Sequence, residues 1–155
     1  MFATRVRRAA GRAKPADLGW PAGSTAALVT DALFLLVMGA LFAFFELLSH
    51  FFAIGPQGDR FYGSPYTIGF FEAHGLAALI GLLLFRALRH ADRQFWHGFA
   101  LAVHLLLGGA NLTFWGIFTF FGLEMQGVMV TSVHALFVLW HLGYVIQLSN
   151  RSKYP

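Results

Sequence analysis

At 155 residues the chain could form one ordinary domain, but 57% of it is apolar and only 12% charged, roughly half the charged share of an average soluble domain. That balance excludes a water-soluble globule, and the absence of cysteine excludes disulfides, thiolate metal sites and Cys nucleophiles. The formal net charge of +4 would suit a nucleic-acid partner. The basic residues lie outside the apolar stretches, however, so membrane topology accounts for them and no nucleic acid is expected.

In chain order, residues 1–24 read as a basic tail carrying Arg5, Arg7, Arg8, Arg12 and Lys14. Its Arg-rich, acid-free start shares the composition of mitochondrial transit peptides, but a topogenic tail explains it as well. Residues 25–148 read as a transmembrane domain of four spans: Thr25–Phe52, Tyr66–Leu88, Phe95–Leu123 and Val128–Leu148. Each exceeds the roughly 20 residues needed to cross the hydrocarbon core, and each is apolar on nearly every side, unlike a soluble amphipathic helix. Gly55–Pro65 reads as a loop, Arg89–Gln94 as a charged turn and Glu124–Gly127 as a tight one. Connections this short make neighbouring spans antiparallel. Residues 149–155 form a short C-terminal tail with Arg151 and Lys153.

The expected fold is therefore all-α, an up-and-down four-helix transmembrane bundle. Its orientation follows from charge. Ten of the eleven Lys and Arg fall in the two tails and the second connection (Arg86, Arg89, Arg93), and only Arg60 falls elsewhere. By the positive-inside rule both termini are cytoplasmic. The bacterial inner membrane is the expected location, with the mitochondrial inner membrane as the alternative.

Ionisable groups inside apolar spans are costly in lipid and mark functional positions or helix contacts. Span one carries Asp31, Glu46 and His50; span two, Glu72 and His74; span three, His97, His104 and Asn111; span four, His134 and His141. His97, His104 and Asn111 are seven apart, so they form one stripe that drifts only about 20° per step. His134 and His141 form another, and Glu46 and His50 share a face of span one. In span two, Gly69, Ala73, Ala77 and Gly81 make a small-residue row suited to close helix contact. They separate His74, expected toward the core, from Glu72, expected toward span one, a second copy or another subunit.

Counting about 1.5 Å per residue from each span's midpoint gives two polar layers. Glu46, Glu72, His74, Asn111 and His134 fall on the outer side, and His104 with His141 on the inner side. Asp31, His50 and His97 are expected near the surfaces.

Three chemistries fit this pattern. A bundle-core cofactor site could hold haem b between His104 and His141, or between His74 and His134. It could instead hold a transition metal on Glu46, His50, His74 and His134. Glu72, Asn111 and Asp31 would then be outer partners or proton-relay groups. A third possibility is a Glu/His chain that carries protons for small-solute transport, with no cofactor. Any single His in a membrane helix could also simply tie helices together, each bond worth roughly 0.6–2 kcal/mol. A different class is a non-catalytic accessory subunit, docking through Gly69, Ala73, Ala77, Gly81 and Glu72. No Ser/His/Asp nucleophile set or phosphate-cradling Gly loop is apparent, so hydrolase chemistry is not expected.

Overall fold

The computed structural model describes residues 21, 23–55, 57–90 and 92–153, and every described element is a helix. In chain order these are α1 (Ser24–Phe52), α2 (Gly58–Phe61), α3 (Thr67–Ala87), α4 (Arg93–Thr113), α5 (Trp115–Phe121) and α6 (Glu124–Lys153). The basic tail with Arg5, Arg7, Arg8, Arg12 and Lys14 lies outside the described residues, as do the side chains of Arg151 and Lys153.

α1, α3, α4 and α6 are each long and apolar enough to span a membrane. Of the most apolar stretch of each, no more than 28% is buried within the protein. Large side chains such as Val37, Phe44, Leu79, Leu106 and Leu139 point outward. A water-soluble monomer does not sustain so continuous an apolar exterior. Lipid accepts it, because helices satisfy their own backbone polar groups. The chain is an integral membrane protein.

The bundle is built from two tight helix pairs. α1 packs chiefly on α3, and α4 chiefly on α6; the pairs meet along a narrower seam. Glycine explains how close α1 and α3 come. A Cβ on Gly39 would sit 2.6 Å from the backbone N of Ala78 and the carbonyl O of His74. A Cβ on Gly81 would sit 2.5 Å from the backbone N of Leu36. The two backbones are in direct contact, as small residues permit between membrane helices. The apolar core, with Leu28, Ala32, Leu35, Ala77, Leu84 and Ala100, fills one half of the bundle. A second cluster of Phe61, Phe121 and Leu123, flanked by Phe70 and Phe118, plugs the other end.

Three expected boundaries fall differently. The segment Gly55–Pro65, read as a loop, contains the short helix α2. The third span, read as Phe95–Leu123, is interrupted at Phe114, where φ is −104° and ψ 32°. Just before the break the Thr113 hydroxyl donates to the Gly109 carbonyl at 2.8 Å, a back-bond that bends helices. The tight turn expected at Glu124–Gly127 is instead the first turn of α6. The chain reverses at Gly122, whose φ of 60° suits glycine. A Cβ on Gly127 would lie 2.8 Å from the Phe118 ring, so α5 and α6 pack tightly right after the reversal.

The small-residue row of α3 is divided. Ala77 and Gly81 are buried against α1, whereas Gly69 and Ala73 are exposed, as is Glu72. Close contact within the chain thus already uses half of the row.

Candidate metal centre

The seam between the two helix pairs is polar. Asp31, in the third turn of α1, is 0% exposed, and so are His97, His104 and His141. The Asp31 carboxylate reaches both members of the other pair: Oδ1 lies 2.8 Å from His104 Nε2 on α4, and Oδ2 lies 3.0 Å from His141 Nε2 on α6. The two imidazoles are nearly parallel, 10° between planes with centroids 6.2 Å apart. Phe137 stacks on His104 at 4.6 Å and holds the ring in place.

The chain of contacts continues outward on both arms. His104 Nδ1 lies 2.8 Å from His134 Nδ1. His141 Nδ1 lies 2.8 Å from His97 Nδ1, and His97 Nε2 lies 2.8 Å from Ser24 Oγ. Tyr144 stacks on His97 at 4.8 Å. An ionised carboxylate can only accept, and with all four imidazoles neutral this fixes the direction of every bond. Both Nε2–H groups donate to Asp31. His134 and His97 donate their Nδ1–H to the vacated Nδ1 lone pairs, and the Ser24 hydroxyl donates to His97 Nε2. All donors along the chain then point inward at one buried carboxylate.

The heptad stripes produce this geometry. α4 and α6 run antiparallel, so stripes of His97/His104 and His134/His141 oppose each other in reverse order: 97 meets 141, and 104 meets 134. The pairing needs seven-residue spacing on both helices, which the sequence provides.

The structure places the expected site residues as follows. His104 and His141 share one site, but through Asp31, which occupies the space a macrocycle would need. Asp31 and His97 are fully buried between the helices. Ser24, the first residue of α1, bonds His97, and two turns further on Asp31 stands level with His104 and His141. His74 and His134 do not pair. His134 joins His104, and His74 Nδ1 lies 2.6 Å from Glu46 Oε1 inside the α1/α3 pair. Of the set Glu46, His50, His74 and His134, Glu46 meets His74, while His134 bonds His104 instead. Asn111 is half-buried.

Among the described residues, the one group of three or more such side chains placed to share an ion is Asp31, His104 and His141, whose ligand atoms all lie within 4.8 Å of one another. A buried Asp/His group that could hold a metal is thus present, though on a ligand set other than the expected one. No protein-family model, curated protein or solved structure matches the chain.

Proposed function

We propose that this is a metal-binding membrane protein, which holds one divalent transition-metal ion between Asp31, His104 and His141. The observation that carries this reading is the convergence of three ligand atoms from three helices in a fully buried position. Ligands about 2.0–2.2 Å from a tetrahedral ion lie roughly 3.3 Å from one another. The 2.8 and 3.0 Å contacts to Asp31 need to open by only a few tenths of an ångström. Two imidazoles and one carboxylate suit zinc or ferrous iron, and three protein ligands leave a coordination position for water or substrate. A metal ion needs no more than that small opening, whereas a haem would need a slot between the rings that Asp31 fills.

The outer histidines support the same reading. With Nε2 of His104 and His141 held as ligands, each ring would carry its proton on Nδ1; His134 and His97 would then accept at Nδ1, and Ser24 would accept from His97 Nε2–H. Ligating histidines usually have such a partner for the second nitrogen, and the partner fixes tautomer and ring orientation.

Metal analysis of protein purified in mild detergent, with an affinity tag free of histidine, tests the reading. The expected result is close to one zinc or iron per chain, lost in His104→Ala and His141→Ala. The absence of any stoichiometric metal, or full retention in both variants, would remove it. A Soret band in the absorption spectrum would point to haem instead.

A second reading, proton transfer coupled to solute movement, is favoured by the unbroken run Ser24–His97–His141–Asp31–His104–His134. It predicts pH-gradient-driven proton uptake into proteoliposomes that Asp31→Asn abolishes, with no metal required.

A further inference from the structure

The α1/α3 pair contains a second polar site. Glu46 is 4% exposed, and only one of its oxygens is in use: Oε1 meets His74 Nδ1 at 2.6 Å. Oε2 is buried and has no hydrogen-bond partner among the described residues. A buried carboxylate oxygen left without a partner is costly, and native structures rarely tolerate one without an ion or water beside it.

Beside Glu46 is a cavity of about 30 Å³, lined by Phe42, Phe45, Glu46, Ser49, Gln57 and Phe61. Roughly 10–15 Å³ already admits a water-sized occupant. The roof is the segment after α1, folded back by Ala53 at φ 54° and Gly55 at φ 107°. It allows no side chain at Gly58, where a Cβ would collide with the Ala53 carbonyl. Gly63 N–H donates to the His50 carbonyl and anchors the far end of the segment.

The chemistry of the lining selects the occupant. The Ser49 hydroxyl donates its proton to the Ile54 carbonyl at 3.0 Å, so its lone pairs remain for the cavity. Gln57 can offer its amide oxygen, and Glu46 offers an anionic oxygen. Phe42, Phe45 and Phe61 form the rest of the lining and offer no competing polar group. When a neutral His74 donates Nδ1–H to Oε1, the site keeps one negative charge beside a cavity of about 30 Å³. We propose that this cavity is a binding site for a single small monovalent cation, an alkali ion or ammonium, held by Glu46 Oε2 with Ser49 and Gln57. It is separate from the Asp31 centre in helix pair, in ligand type and in the charge of its occupant.

The test uses the full chain in detergent. Thermal unfolding is followed in NaCl, KCl, NH4Cl and N-methylglucamine chloride at constant ionic strength, together with equilibrium binding of radioactive sodium. The expected result is a saturable rise of several degrees in Tm with at least one small cation and none with N-methylglucamine, whose cation is too large for the cavity. Glu46→Gln, which keeps the shape but removes the charge, abolishes the rise. Ser49→Ala weakens it several-fold, and Glu72→Gln, at an exposed position, leaves it intact. If Glu46→Gln does not fold, the Ser49→Ala titration still decides. Equal stabilisation by all four salts, or an undiminished rise in the Glu46 and Ser49 variants, would mean that the cavity holds only water and would overturn the proposal.

Discussion

The bundle has two buried acids on one helix, four turns apart, in opposite situations. Asp31 stands on the seam between helix pairs, and both of its oxygens are taken by imidazoles from the other pair. Glu46 stands inside the α1/α3 pair, with one oxygen taken and one unpartnered. The cause is the surrounding helix chemistry. Around Asp31, two antiparallel helices each bring a heptad stripe of histidine, so donors outnumber what one carboxylate needs. Around Glu46, α3 brings a single histidine, and the remaining neighbours are phenylalanines with Ser49 and Gln57, neither of which bonds the second oxygen. A buried acid thus becomes the centre of a network or an incomplete site according to how many facing helices carry donors at its level.

The comparison breaks most visibly at Asp31. Asp31→Leu leaves the His104 and His141 N–H groups without an acceptor, at about 1–3 kcal/mol each. Thermal or denaturant unfolding should therefore show a large loss of stability together with loss of metal. Asp31→Asn should keep the fold. Its carbonyl accepts from one ring, its amide donates to the other, and that arm reverses its tautomers out to His134 or to Ser24. Metal content should nonetheless fall, because the anionic ligand is gone. If Asp31→Asn proved as destabilising as Asp31→Leu, charge rather than hydrogen-bond satisfaction would hold the seam.

A middle-sized effect should separate the two regions. Gly39→Ala places a methyl 2.6 Å from the α3 backbone beside His74 and forces α1 and α3 apart, with an overpacking cost of about 1–3 kcal/mol. The monovalent-cation stabilisation should disappear with it, while metal content, which depends on the seam, persists. Simultaneous loss of both would show that the helix pairs move as one body.

The smallest effects are expected at the outer histidines. His134→Ala and His97→Ala remove the partners that fix the ligand tautomers and should weaken metal affinity about 10–100-fold without abolishing it. A competition titration with a chromogenic chelator would measure this. An effect as large as that of His104→Ala would mean that the outer histidines bind the ion themselves.

The sequence supported some of this site and missed the rest. His104 with His141, and Glu46 with His74, could be grouped by matched depth; helical faces misled in α3, where His74 rather than Glu72 meets α1. Asp31 as the hub could not be read. A midpoint estimate treats every helix as starting level with its neighbours, and the true offset of α1 is set by contacts such as Ser24 with His97, which no local pattern contains. The separation of His134 from Glu46 and His74 has the same origin, since it depends on which helix α3 packs against.

What the sequence by itself determined was the number of spans, their apolar exterior and the heptad faces of α4 and α6, because these follow from hydrophobicity and from 3.6 residues per turn. Only the tertiary structure decided which faces meet and at what height, because helix offset and pairing arise from backbone contacts such as those at Gly39 and Gly81. In lipid, where hydrophobicity no longer discriminates between apolar surfaces, such close packing and the polar seam choose the partner.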